Sequence, residues 1–141
     1  SKIKVVDSQN ADWDRNTAKD VAATILKTYP DLKIICCNND VMAMGALEAV
    51  KESGKTLNKD VYVIGMDGTD EAYESIRANE LSATVSMYPL YESQMATECA
   101  VRILLGQEMP SVIWTPAMVT DATNVDADEA DTIGWTDPTF E

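Results

Sequence analysis

Residues 33–50 read Lys33-Ile34-Ile35-Cys36-Cys37-Asn38-Asn39-Asp40-Val41-Met42-Ala43-Met44-Gly45-Ala46-Leu47-Glu48-Ala49-Val50, and they constrain the fold more than any other stretch. The run opens with residues 34–37, which are apolar and of strand length. It breaks at Asn38, Asn39 and Asp40, residue types that favour turns and helix N-caps. It resumes with Met42, Gly45, Ala46, Ala49 and Val50, spaced i, i+3, i+4, i+7 and i+8, which is one face of a helix. Strand, polar junction and helix follow one another without a gap. In an open α/β sheet such a junction lies at the carboxyl end of a strand, where these sheets bind ligands. Asn39 offers a donor and an acceptor, and Asp40 offers acceptors only. Those groups suit a neutral, hydroxyl-rich ligand.

The rest of the chain repeats the alternation. Residues 3–6 are β-branched and apolar, a strand candidate, and residues 7–12 are polar and turn-like. Residues 14–29 predict a helix with Ala18, Val21, Ala22, Ile25 and Leu26 on one face, stopped by Pro30. The helix after Asp40 is expected to end near Ser53 and Gly54. Residues 61–64 predict the next strand, residues 65–69 a turn at its carboxyl end, and residues 71–78 a helix. Residues 81–87 predict a further strand. Pro89 suits the first turn of a helix over residues 90–105, which Gly106 ends. Residues 112–119 predict a last strand, bent or at an edge because Pro116 interrupts it. From Asp121 onward the chain is acidic and aperiodic, and it reads as a tail or surface loop. The expected fold class is α/β: a doubly wound, mainly parallel, Rossmann-like sheet with helices on both faces.

Composition excludes several functions. Of 141 residues, 24 are acidic and 11 basic, a net charge of −13, which argues against nucleic acid and anionic membranes as partners. No residue is histidine, which removes the commonest general base and metal ligand. The three cysteines, Cys36, Cys37 and Cys99, lack zinc-site spacing. Adjacent cysteines in a strand point to opposite faces and cannot easily bridge, so Cys36 and Cys37 are expected to be small buried hydrophobes. No glycine-rich phosphate loop, no dinucleotide fingerprint and no nucleophile elbow is present. No cofactor or metal is expected.

What remains is a set of residues at successive strand ends: Trp13, then Asn39 and Asp40, then Asp67, then Met87. An indole offers a flat face for the apolar C–H face of a sugar ring. Asn39 and Asp67 can bind neighbouring hydroxyls, the carboxylate through charge-assisted bonds. Each has a plainer alternative: Trp13 as a staple at a helix start, Asn39 as a turn residue, Asp67 as a helix-entry acid. Asp40 paired with Asp67 for acid–base chemistry is a further but weaker alternative.

Four segments carry a family resemblance: Asn10-Ala11-Asp12-Trp13-Asp14-Arg15, the stretch from Cys37 to Ala49, Val63-Ile64-Gly65-Met66-Asp67-Gly68, and Leu81-Ser82-Ala83-Thr84-Val85. In order and spacing they resemble the type I periplasmic sugar-binding proteins, the ribose-, allose- and galactose-binding receptors of ABC transporters. The resemblance runs from about residue 3 to residue 125. It implies ligand-binding roles for Trp13, Arg15, Asn39, Asp67 and Met87. Trp13 matches the aromatic that stacks on the sugar, and Asn39 and Asp67 match hydroxyl-binding residues. Met87 stands where the family usually carries Gln or Asn.

The resemblance implies a non-enzymatic, extracytoplasmic protein, in the periplasm or lipid-anchored at the cell surface. Its partners would be a monosaccharide and a membrane permease. It also implies that residues 1–89 are a partial C-terminal lobe and that residues 90–125 cross back toward an N-terminal lobe. Residues 126–141 are then an acidic C-terminal tail. The effector-binding core of a LacI-type transcription regulator shares the lobe fold and is the alternative; a nucleotide-dependent enzyme of doubly wound fold is a more distant one. In such a lobe one strand lies between the segments at residues 3–6 and 34–37, and this chain does not contain it. Either those two strands pair directly or a second copy covers the gap, and a homodimer through exposed strand edges is the expected outcome.

Overall fold

The computed structural model describes residues 3–127. In chain order they form α1 (Arg15–Thr28), β1 (Ile34–Cys36), α2 (Asp40–Glu52), β2 (Tyr62–Asp67), α3 (Asp70–Arg77), β3 (Ala83–Met87), α4 (Pro89–Leu104) and β4 (Ala117–Asp121). The sheet order is β1-β2-β3-β4. The first three strands are parallel and β4 runs antiparallel to β3. The α/β, mainly parallel architecture is therefore the one expected.

Local chemistry starts each helix. Asp14 caps α1 by accepting from the Thr17 N–H at 2.8 Å, Asn39 caps α2 by accepting from the Met42 N–H at 2.8 Å, and Thr69 caps α3 by accepting from the Ala72 N–H at 3.2 Å. Pro89 opens α4, where a missing N–H costs nothing. Gly54 and Gly106 follow α2 and α4 at φ 77° and 76°, the left-handed geometry that closes helices.

One face of the sheet carries the core. Register places Ile35 beside Val63 on that face. Ala22 and Leu26 of α1, six apolar residues of α2 from Ala43 to Val50, and Ala72 and Ile76 of α3 pack with Val61, Val63 and Leu81. Burying each such aliphatic side chain is worth about 1.5–3 kcal/mol. Toward the carboxyl ends of the strands the same face turns small and polar: Gly65 pairs with Thr84, Thr84 with Thr120, and Asp67 with Ser86. α2 packs tightly on α1, because a Cβ on Gly45 would run into the Arg15 carbonyl.

The opposite face differs from expectation. Ile34, Tyr62, Met66 and Val119 share it by register and alternation, and all four are exposed. Among the described residues, the helices with large contacts lie on the other side, and α4 fully buries only Met95.

Residues 3–6 form no strand. Ile3 is 80% and Val5 79% exposed, and among the described residues the one ladder partner of β1 is β2. A β-branched run gains little without a neighbouring strand to pair with, so the direct pairing of residues 3–6 with β1 does not form.

Other boundaries move for identifiable reasons. β2 runs on through Gly65, Met66 and Asp67, expected as a turn, because β3 pairs with it as far as Asp67–Ser86. β4 starts after Pro116 instead of spanning it, since proline cannot donate to the ladder. Asp121 closes β4 and so belongs to no tail. At the border of the acidic tail expected at residues 126–141, Val125 is buried in the core and the exposed Asp126 pairs with Arg77 at 2.8 Å. Residues 128–141 lie outside the described residues. Of the segment at residues 90–125, α4 stands mostly clear of the sheet, and Ala117–Asp121 returns to pair with β3.

Two glycines separate close packing from backbone conformation. Gly45→Ala is expected to destabilise the chain by about 3 kcal/mol, because the new methyl meets backbone that cannot move aside. Gly54→Ala meets nothing within 4 Å and loses only its left-handed freedom, at about 1 kcal/mol. Denaturant unfolding of both variants checks the order; equal losses would show that α1 and α2 are not packed this closely.

Candidate functional site

Asn39, Asp67 and Met87 stand at or just beyond the carboxyl ends of the parallel strands, and the loop that carries Trp13 packs through Ala11 against Cys37 and Met42. Trp13 sits in a tight loop, with Asp12 and Trp13 at φ 48° and 60°. Ala11 anchors that loop: its carbonyl accepts from the Asp14 N–H at 2.9 Å, and its side chain packs with Ala18, Met42 and Cys37. The loop is therefore tied to the start of α2, beside Asn39. The indole itself is 65% exposed. A staple at a helix start would bury the ring, so the fold leaves this aromatic face free.

Asn39 uses its side-chain oxygen to cap α2. Its amide N–H donors have no partner among the described residues, so the residue both caps and presents donors. Asp67 ends β2 and Met87 ends β3, one position beyond Ser86, the ladder partner of Asp67. Arg15 is held differently. Its guanidinium bonds Glu48 at 3.0 Å and Glu71 at 2.8 Å, bridging the first turn of α1 to α2 and α3. Exposed pairs of this kind are worth about 0–1 kcal/mol each.

Asp40 corrects the sequence-based expectation. It is 1% exposed and offers nothing to a ligand. Its Oδ2 accepts from the Gly68 N–H at 2.9 Å, the Thr69 N–H at 2.9 Å and the Thr69 hydroxyl at 3.2 Å; its Oδ1 accepts from the Thr84 hydroxyl at 2.7 Å. Both carboxylate oxygens are thus engaged by protein donors, three on Oδ2 and one on Oδ1. Gly65 is glycine because any Cβ there would strike this carboxylate. Residue pattern alone does not mark Thr69 or Thr84 as functional. The glycines on either side of Asp67 are the available sign that another group presses on that turn.

A second buried polar set holds the neighbouring strands. The Tyr73 hydroxyl donates to Ser86 at 2.9 Å, and the Ser86 and Thr120 hydroxyls share a 2.6 Å bond. Gly68, at φ 78°, leaves room for both Tyr73 and Ser86.

Asp67 carries the conformational cost of this arrangement. It adopts φ 124°, a region that side chains rarely enter, at a cost of about 1–3 kcal/mol. Burial raises its carboxyl pKa above the ordinary 3.8, the negative charge of Asp40 raises it further, and the backbone N–H of Asp40 partly opposes both. The cysteines divide. Cys37 is packed against the Ala11 cluster, and burial, then Cys36, pushes its thiol up to about 11. Cys36 is exposed on the open sheet face, contrary to the expectation that both would be buried.

Comparison with known proteins gives a consistent set. A family model described as a periplasmic binding protein domain matches residues 1–108. The ribose import binding protein of Bacillus subtilis is 42% identical over 115 residues, 82% of this chain and 36% of that protein. The D-allose-binding periplasmic protein of Escherichia coli is 48% identical over 89 residues, 63% of this chain and 28% of that protein. Among solved structures, a periplasmic solute-binding protein of an ABC transporter from Actinobacillus succinogenes, with bound D-allose, superposes with a TM-score of 0.79 at 34% identity. The match covers 86% of this chain and 43% of that one. The chain thus spans about a third of the length of these curated relatives.

The raised carboxyl of Asp67 has a signed consequence. A group that binds its proton more tightly when folded stabilises the fold below its unfolded pKa, and that contribution is lost as pH rises through the folded value. Asp67→Asn removes this titration. Its stability relative to the parent chain is therefore expected to rise with pH across the carboxylate range, above the ordinary value of 3.8, and then level off. Thermal melts at a series of pH values check this; a difference that does not change with pH would show Asp67 to be an ordinary surface acid.

Proposed function

The chain belongs to the periplasmic binding protein family, and from that membership we propose that it forms most of one lobe of an extracytoplasmic receptor that closes on a monosaccharide and delivers it to an ABC importer. What supports this reading is an exposed indole (Trp13), amide donors without a partner among the described residues (Asn39) and an exposed carboxylate at the end of β2 (Asp67). An aromatic plate covers the apolar face of a sugar ring, and the amide and carboxylate bind its rim of hydroxyls. Met87 supplies an apolar, adaptable contact where an amide would bind one more hydroxyl. In this scheme Arg15 acts at the edge of the site, its charge shared with Glu48 and Glu71.

The function is binding, not catalysis. The mechanism is hinge closure of two lobes, which encloses the sugar and presents the closed form to a permease. Residues 1–89 supply the binding half-site and residues 90–125 the connection toward the other lobe. The location is the periplasm or a lipid-anchored position at the cell surface. The names of the relatives speak of import and binding, which favours transport over the effector-binding core of a transcription regulator.

Calorimetry on the two-lobed receptor with D-ribose and D-allose tests the site. Trp13→Ala and Asp67→Ala are each expected to cost roughly 2–4 kcal/mol of affinity, the first as an aromatic anchor and the second by leaving hydroxyls unpaired. Met87→Gln is expected to alter the preference between the two sugars. Folded Trp13 and Asp67 variants with parental affinity would refute the assignment.

The 141-residue chain alone is a different object. Its exposed sheet face and the free edge of β1 support self-association of two copies. Sedimentation at micromolar concentration is expected to give a dimer. A stable monomer with a cooperative melt would exclude it.

A further inference from the structure

Asp40 is the one fully buried acid among the described residues, and its place relative to Asp67 goes beyond the reading above while resting on it. Its carboxylate grips the two residues that follow Asp67, through the N–H groups of Gly68 and Thr69, both at 2.9 Å. The other oxygen reaches the Thr84 hydroxyl at 2.7 Å, on the strand that pairs with β2. The Thr69 hydroxyl also donates to Asp40 while accepting from the Ala72 N–H that starts α3. One side chain from the first turn of α2 thus fixes the β2–α3 turn against β3. Between the ladder that ends at Asp67 and the turn held by Asp40, the chain bends at Asp67 itself, at φ 124°.

We infer that Asp40 is a positioning residue of the sugar site: it never touches the sugar, and it acts by holding the β2–α3 turn so that Asp67 projects from the end of the sheet. Three observations support this. Both oxygens of Asp40 are engaged by protein donors and the residue is 1% exposed, which keeps it out of a ligand's reach. The backbone at Asp67 adopts a conformation that a side chain avoids unless the surroundings impose it. The two glycines that flank the bend are both required by close neighbours, Gly65 by Asp40 and Gly68 by Tyr73 and Ser86. Release of the turn lets Asp67 relax to ordinary backbone angles and swing its carboxylate off the sugar hydroxyls.

Asp40→Asn is nearly isosteric. Its amide oxygen still accepts from the Gly68 and Thr69 N–H groups, and the Thr84 hydroxyl can turn to accept from the new amide. The grip is weakened, not abolished. Thr84→Val removes one donor from the other side and serves as a second, milder variant. Both are made in the two-lobed receptor, alone and combined with Asp67→Ala. Affinity for D-ribose and D-allose is measured by calorimetry, and folding is followed by thermal melts.

Asp40→Asn is expected to weaken sugar binding about tenfold in the parental background. In the Asp67→Ala background it is expected to change affinity less than about twofold, because the group it positions is gone. Thr84→Val is expected to follow the same pattern with a smaller loss. The inference is overturned if Asp40→Asn lowers affinity by the same factor whether or not Asp67 is present, as a general weakening of the lobe would. It is equally overturned if Asp40→Asn and Thr84→Val both bind as the parent does. If Asp67→Ala alone leaves affinity intact, the site assignment itself fails and this inference falls with it; the single variant identifies that case.

Discussion

The structure depends on one buried carboxylate. An ionised side chain taken out of water without partners would neutralise or unfold its surroundings. Asp40 is kept by donors from three different places: the β2–α3 turn, the α3 cap residue and β3. Each bond is charge-assisted and therefore stronger than a neutral one. Because the donors belong to separate elements, the arrangement forms only when α2, β2, α3 and β3 are all in place. The apolar core beneath, from Leu26 through Val50 and Val63 to Ile76, supplies the bulk of the driving force. The carboxylate supplies the register in which those layers meet.

The sheet is finished on one side only. Along β2, Val61 and Val63 are buried under helices, while Tyr62 and Met66 on the alternate positions are exposed. Ile34 and Val119 extend that open face across the sheet by register. The same incompleteness appears in α4, whose Leu90, Val101, Ile103 and Leu104 are exposed. Apolar surface of this kind is kept where another element or chain covers it, and it is the physical basis for reading the chain as part of a larger assembly.

Much of this is legible from residue pattern because the helices obey local rules. The N-caps Asp14, Asn39 and Thr69 and the apolar stripes behind the first two fix α1 and α2 to within about two residues, a scale at which boundary definitions themselves differ. Strands are less legible. Residues 3–6 have strand composition, but a strand exists only beside another, and composition does not report a neighbour. The early start expected for β4 fails because Pro116 acts as a boundary and not as a bend. In the site, Asp67 is readable as a strand-end acid because an apolar strand run leads directly into it, whereas Trp13 ends no strand and lies in the loop before α1. Asp40 is easily misread because a ligand acid and a buried structural acid are the same letter. Burial depends on Gly65 and Thr69 from the β2–α3 segment and on Thr84 from β3, two other parts of the chain.

Stability and binding pull against each other at Asp67. The fold would accept glycine there more easily, since glycine enters φ 124° without cost. It would also prefer no second negative charge beside Asp40, whose field already raises the Asp67 pKa. Both penalties persist in an exposed residue at the last position of β2. Strain and like-charge crowding of this kind are found where a side chain is held for a purpose outside the fold. Asp40 grips the turn that follows Asp67, next to the residue that carries the strain. The two acids therefore have complementary roles at neighbouring strand ends. The buried one takes its donors from the β2–α3 turn and β3, and the exposed one accepts from the backbone N–H of the first.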